Sequence, residues 1–103
     1  MQKIVKIKGG EYAVPFFRFR EKDFSFGNRD TVLILTELSY AEVVDLFSEP
    51  GEWSVANGEI VTDCTDYCKL LSIKDTRTGV LEVVLSKMTD GEILAELREA
   101  LEA

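Results

Sequence analysis

Residues 52–62 read EWSVANGEIVT, a pattern typical of a tight β-hairpin. Asn57-Gly58 separates two short runs of alternating apolar and polar side chains, and this dipeptide readily adopts the backbone of a two-residue turn. The turn predicts a register in which Trp53 lies opposite Thr62. The segment therefore predicts two antiparallel strands that share one apolar face.

The sequence predicts two more hairpins of the same kind. Each joins two alternating segments through a glycine-containing turn, and the four segments are residues 3–8, 11–16, 69–74 and 80–86. Gly9-Gly10 is the predicted turn of the first pair, which places Lys8 directly opposite Glu11. The apolar alternation inverts at Pro15, which predicts a bulge or an edge position because proline cannot donate a ladder hydrogen bond.

A buried strand and a capped helix are predicted between the hairpin of residues 3–16 and the hairpin of residues 52–62. Residues 31–37 contain the apolar run Val-Leu-Ile-Leu, which favours a buried strand. Ser39 and Glu42 have the spacing of a capping box at a helix N-terminus. Apolar side chains then recur on one helical face, at Tyr40, Val43, Val44 and Phe47.

The C-terminal segment carries the same helix signals as residues 39–47. Thr89 and Glu92 have the spacing of a second capping box, and Met88 and Ile93 have the spacing of a hydrophobic staple. An apolar stripe follows at helical spacing, formed by Ile93, Leu94, Leu97 and Leu101.

These elements predict a single globular domain over residues 1–103 with an α+β fold. We expect a largely antiparallel sheet built from the three hairpins and the buried strand, with both helices packed on one face. The apolar runs are too short to cross a bilayer, and the basic start has no signal-peptide core. We therefore expect no membrane association and a cytoplasmic location.

Composition argues against catalysis. The chain has no histidine, which removes the side chain most often used for acid–base chemistry near neutral pH. It contains 12 basic and 19 acidic residues, but residues 1–30 hold seven of the basic ones and only four of the acidic ones. A basic first third and an acidic remainder suit pairing within one molecule or head-to-tail contact between copies. We expect a protein that is not an enzyme and that could form a homo-oligomer.

Two thiols and two carboxylates lie close together in the segment DCTDYC, residues 63–68. A structural zinc site requires four nitrogen or sulfur ligands, whereas this chain offers only Cys64 and Cys68. Asp63 and Asp66 lack the ligand spacing of a calcium loop and are better explained by capping and turn formation. We therefore expect free thiols, no metal, no cofactor and no catalytic residue.

The strongest candidate for a binding surface is the segment FFRFR, residues 16–20. Phe16, Arg18 and Arg20 combine aromatic and basic side chains, and Trp53 and Tyr67 complete the predicted surface. Single-stranded nucleic-acid sites use the same combination for stacking and phosphate neutralisation. The alternation is equally that of a half-buried strand, and the overall acidity makes nucleic acid the less favoured partner.

Residues 38–90 carry a resemblance to a group of small proteins encoded among the structural genes of tailed bacteriophages and prophages. The resembling positions are Tyr40, Val43, Phe47, Trp53-Ser54, the segment 63–68, Ile73-Lys74-Asp75 and the segment 83–90. Together with the missing catalytic machinery and the uneven charge, the resemblance leads us to expect a protein that binds other proteins, with phage structural proteins as candidate partners, during particle assembly in the tail region. The expected location is then the host cytoplasm or the virion. The resemblance implies no catalytic residue. The alternative is a host-modulating or single-stranded nucleic-acid-binding accessory protein that uses the basic and aromatic N-terminal segment.

Overall fold

The computed structural model describes residues 2–88 and 90–102, which form eight strands, two α-helices and one 3-10 helix. In chain order the elements are β1 (Lys3–Ile7), β2 (Gly10–Val14), β3 (Phe16–Asp23), the 3-10 helix (Phe24–Phe26), β4 (Arg29–Thr36), α1 (Tyr40–Phe47), β5 (Trp53–Asn57), β6 (Ile60–Asp63), β7 (Lys69–Asp75), β8 (Leu81–Ser86) and α2 (Asp90–Glu102).

The strands form two antiparallel sheets of four strands each. The first sheet has the order β2-β1-β5-β6, and the second has the order β3-β4-β8-β7. The α+β class is confirmed, but the expected single sheet is replaced by two. The three predicted hairpins are present, and longer-range pairings of β1 with β5 and of β4 with β8 assemble them into the sheets.

The chain passes from one sheet to the other at Pro15. Val14 ends β2 in the first sheet, and Phe16 begins β3 in the second. The inverted alternation at this proline therefore reflects a change of sheet rather than a bulge, and the alternative prediction of an edge position agrees with the structure, because β2 and β3 are both edge strands. Side chains that would lie on opposite faces of one continuous strand can then face a common core.

One hydrophobic cluster joins the two sheets and α1. Its buried members include Val5, Ile7, Val14, Trp53 and Val55 from the first sheet, Val32, Ile34, Val83 and Leu85 from the second, and Val43 and Phe47 from α1. The Phe47 and Trp53 rings pack edge to face with centroids 5.6 Å apart. Each sheet therefore has an inner face turned toward the cluster and an outer face turned away from it.

The first hairpin has a different register from the predicted one. Lys8 and Gly9 both have positive φ angles, 50° and 76°, so they form the turn and Gly10 begins β2. Lys6 pairs with Glu11 as a result, and the predicted pairing of Lys8 with Glu11 is wrong.

The hairpin at residues 52–62 shows the same shift. Gly58 has a φ of 64° and Asn57 still belongs to β5, so Val55 rather than Trp53 lies opposite Thr62. A shift of two positions leaves the side-chain alternation unchanged. The predicted apolar faces of both hairpins are therefore preserved.

The predicted start of α1 is confirmed in detail. Ser39 Oγ accepts a hydrogen bond from the Glu42 backbone N–H at 3.2 Å, and the Glu42 carboxylate accepts one from the Ser39 backbone N–H. Val43 and Phe47 are buried, whereas Tyr40 on the first turn is 62% exposed. The stripe that holds α1 to the core is therefore narrower than the sequence pattern indicated.

The apolar stripe of α2 lies outside the core cluster of the described residues. Its four apolar side chains are 45–86% exposed, and the core cluster of the described residues contains no side chain from this helix. The molecule is elongated, with extents of 45 × 28 × 26 Å. Among the described side chains, α1 contributes to the core cluster, whereas α2 contacts the second sheet through Glu92. The predicted Thr89 cap lies outside the described residues.

Candidate protein-binding surface

The outer face of β3 carries three of the five predicted binding residues. Phe16, Arg18 and Arg20 alternate with Phe17, which packs against the core cluster, and with Phe19, which is 38% exposed. The first three are all exposed, Phe16 by 40%. Successive side chains of a strand point to opposite faces, so these three form one row along the edge strand of the second sheet.

β4 supplies the second row of this surface. Leu35 pairs with Phe16, and Leu33 pairs with Arg18. Paired residues share a face of the sheet, and both leucines are only partly buried. Phe16, Arg18, Arg20, Leu33 and Leu35 are named here the β3–β4 outer face.

Charge on this surface is predominantly positive. The Arg20 guanidinium lies 3.9 Å from Asp23, a buried carboxylate that also accepts hydrogen bonds from the Thr31 hydroxyl and the Ser25 backbone N–H. Arg18 makes no ion pair with any residue in the described part of the chain. At least one cation of the β3–β4 outer face is therefore available to a partner.

Trp53 and Tyr67 do not belong to this surface. Trp53 is 3% exposed and donates a hydrogen bond from its indole nitrogen to the Tyr67 carbonyl at 3.1 Å. Tyr67 is half-buried, with its ring centroid 5.6 Å from that of Phe19 and the Lys87 ammonium 5.4 Å from its ring. Burial raises the pKa of the Tyr67 phenol, and the Asp30 carboxylate adds to the effect. The assignment of Trp53 to a binding surface is therefore corrected to a core role.

A second surface, unrecognised in the sequence, lies on α2. Ile93, Leu94, Leu97 and Leu101 are 45%, 58%, 55% and 86% exposed, and they are named here the α2 stripe. The sequence pattern located the stripe but predicted that it faces the core. The sequence signal that could have indicated an exposed rather than a core-facing stripe is the charge of the helix, because α2 contains five acidic residues and one arginine.

Ion pairs hold the beginning of α2 to the second sheet. The Glu92 carboxylate lies 2.6 Å from the Arg29 guanidinium of β4 and also contacts the Lys69 ammonium of β7. Arg29 additionally donates to the Ser86 hydroxyl at 3.4 Å. The first turn is therefore fixed by charge, while the apolar stripe that follows remains exposed.

The two thiols, Cys64 and Cys68, are both at least partly buried. Cys64 is fully buried, and burial, followed by the neighbouring Asp63 carboxylate, raises the pKa of its thiol to about 12. The nucleophilic form of cysteine is the thiolate, so both the burial of Cys64 and its raised pKa disfavour reaction at neutral pH. Cys68 is half-buried, and both thiols are free, as predicted.

Asp63 acts as a turn-forming residue, as the sequence indicated. Its carboxylate accepts hydrogen bonds from the Thr65 hydroxyl at 2.6 Å and from the Thr65 backbone N–H at 3.1 Å. These bonds, the side-chain one first, lower the pKa of the Asp63 carboxyl. Within the described ranges, no three cysteine, aspartate or glutamate side chains gather into a group that could hold a metal ion.

The chain matches no family model, and neither the curated proteins nor the solved structures include a significant match. None of the helices in the described part of the chain combines the length and apolar character that crossing a membrane requires.

Proposed function

We propose that this chain is a non-enzymatic protein that binds other proteins during the assembly of a bacteriophage or prophage particle, in the tail region. The observation that carries the proposal is the exposed α2 stripe. The particle context rests on the resemblance of residues 38–90 to small proteins of phage structural gene clusters.

The α2 stripe has the form of a helical recognition element. Its side chains recur at positions i, i+1, i+4 and i+8, which places them on one side of the helix. Amphipathic helices commonly bind proteins by laying such a face into an apolar surface. Contiguous exposed apolar surface in a folded protein typically marks an interaction site.

The test is recovery of the chain with its partners. Tagged wild-type chain is expressed during particle production, and purified particles and pull-downs are analysed by mass spectrometry. Wild-type chain should be recovered with particle structural proteins, whereas Leu97→Asp should lose them because a carboxylate on the stripe opposes burial.

Ala95→Asp is the matched control for this test. Ala95 is exposed and lies about 200° around the helix from Leu97, so the same charge is added to the same helix away from the stripe. This variant should behave like wild type. Absence of the wild-type chain from both particles and pull-downs would contradict the proposed function.

Single-stranded nucleic-acid binding is the second candidate function, and the exposure of Phe16, Arg18 and Arg20 in one row favours it. Aromatic stacking and arginine–phosphate contacts would supply affinity that falls as salt increases. The test is a fluorescence-anisotropy titration with a labelled single strand. Binding that is lost in Arg18→Ala/Arg20→Ala would support this candidate, and no binding at low salt would eliminate it.

A further inference from the structure

We propose that the α2 stripe of one copy docks on the β3–β4 outer face of a second copy, so that the chains associate head to tail. The inference rests on the proposed function, because it names a second copy of this chain as the protein that α2 binds.

Charge complementarity is the first argument. Residues 90–102 contain five acidic side chains and one arginine, a net charge of −4, although Glu92 is already paired with Arg29 and Lys69 in the same molecule. The row that α2 would meet contains two exposed arginines, and one of them, Arg18, has no ion pair within the described residues. Opposite net charges on the two surfaces favour this encounter and disfavour pairing of two α2 helices with each other.

Apolar side chains on both surfaces are the second argument. Phe16 is 40% exposed, and its partner Leu35 and the adjacent Leu33 are only partly buried. These three side chains provide apolar contact for the leucines of the α2 stripe. The arginines beside them would pair with the acidic flanks of the helix, which gives an apolar centre with a charged border.

The lengths of the two surfaces agree. From Ile93 to Leu101 the helix advances about 12 Å at about 1.5 Å per residue. From Phe16 to Arg20 the strand advances about 13 Å at about 3.3 Å per residue. The stripe can therefore contact the whole basic and apolar row without extending past it.

The same contact is not made within one molecule. Glu92 holds the beginning of α2 at one end of the outer face of its own second sheet, against Arg29 and Lys69. The α2 stripe and Phe16 nevertheless both remain exposed. The donor and receiving surfaces are different, so each association leaves one free helix and one free sheet face. Such a heterologous contact repeats, giving rings or open chains rather than a closed two-fold dimer.

The test is sedimentation velocity of the purified full chain over a range of concentrations. Wild type should form species larger than a monomer, and 0.5 M salt should reduce the association constant at least tenfold by screening. Leu97→Asp and Arg18→Glu/Arg20→Glu should each be monomeric. Ala95→Asp should associate like wild type.

A second control matches the double charge reversal. Lys6→Glu/Arg77→Glu changes the net charge by the same amount, at exposed cations on the other sheet and in the turn between β7 and β8. This variant should retain association to within about threefold, an expectation that allows for its long-range charge effect.

Mixing the two monomeric variants separates a head-to-tail contact from loss of folding. Leu97→Asp keeps an intact β3–β4 outer face, and Arg18→Glu/Arg20→Glu keeps an intact α2 stripe. Their mixture should form a one-to-one heterodimer that does not grow further, because the only intact pair of surfaces is then used. Heterodimer formation also shows that both variants are folded.

Three results would overturn the inference: a wild-type monomer at every concentration, wild-type association by Arg18→Glu/Arg20→Glu, or no heterodimer in the mixture. The second result would indicate helix-to-helix pairing. None of them removes the proposed function, which fails separately if wild-type chain is absent from particles and pull-downs.

Discussion

Replacing Phe47 with alanine should remove the main attachment of α1 to the core. Phe47 is 2% exposed at the last turn of the helix, and its ring meets the edge of Trp53 with an interplanar angle of 80°. Val43 is the other buried residue of α1. The substitution therefore tests how far the attachment of α1 to the core depends on this contact with Trp53 of the first sheet.

The expected loss is about 4 kcal/mol of unfolding free energy. Truncation of a buried phenylalanine to alanine typically costs about 3–5 kcal/mol, combining lost burial with the cavity left behind. The edge-to-face pair accounts for about 0.5–1.5 kcal/mol of this loss. Phe47→Leu keeps most of the buried volume and should cost about 1–2 kcal/mol, roughly the value of the lost ring pair and the imperfect fit.

The assay is urea unfolding followed by fluorescence and by circular dichroism. Trp53 is the single tryptophan of the chain and lies against the altered position, so fluorescence reports directly on this part of the core. Tyr40→Ala is the control, because Tyr40 is on the same helix but 62% exposed, and it should change stability by less than about 0.5 kcal/mol. A loss for Phe47→Ala within 1 kcal/mol of the Tyr40→Ala value would refute the reasoning, as an order-of-magnitude threshold.

Three further outcomes are expected. At pH 8, iodoacetamide should alkylate Cys68 and spare Cys64 in the folded protein, and intact mass spectrometry should show one adduct; two adducts would contradict the burial of Cys64. Because the pKa of Cys64 is raised from 9.0 to about 12, its contribution to stability is fully present below pH 9 and is lost as pH rises toward 12. Urea unfolding at pH 8 to 11 should therefore show a shallower decline for Cys64→Ala than for wild type, and equal slopes would contradict it. Glu92→Gln weakens the contacts with Arg29 and Lys69, so hydrogen exchange of α2 amides should accelerate; unchanged exchange would show that these pairs do not hold the helix.

The hairpins could be predicted because their signals are local. A glycine-containing turn between two alternating segments specifies an antiparallel pair without reference to the rest of the chain. The division into two sheets depends on the pairing of β1 with β5 and of β4 with β8, and each pairing joins segments distant in sequence. Pro15 marked the crossing point, but a bulge within one sheet accounted for the same inversion equally well.

The predicted register of the first hairpin differs from the observed one because of the residues that form its turn. Lys8 adopts a left-handed backbone, so the turn uses one lysine and one glycine rather than the two consecutive glycines. A lysine at positive φ is uncommon, and the neighbouring Gly10 offered a sterically easier choice. The error moved partners by two positions, and therefore the predicted faces survived it.

The shared face of Phe16, Arg18 and Arg20 could be predicted because it depends on alternation alone. Phe16, Arg18 and Arg20 share a face because they are spaced by two along one strand. Trp53 and Tyr67 were assigned to the surface from their residue type, although exposure of an aromatic ring is set by what packs over it. Phe47 covers Trp53 from α1, a contact that the strand pattern of residues 52–62 does not contain.

Helical periodicity predicts an apolar stripe on each helix but does not specify the surface on which the stripe packs. Both have apolar residues at helical spacing, but α1 connects β4 of one sheet to β5 of the other, so the chain on both sides of it is fixed in the shared core. α2 follows the last strand and is held at its first turn by the charge of Glu92. A stripe specifies that a helix needs an apolar partner, whereas connectivity and charge decide which partner is within reach. For α2 the surface of opposite charge and equal length is the β3–β4 outer face, and the free state of both surfaces in one molecule is the physical reason to expect that a second copy brings them together.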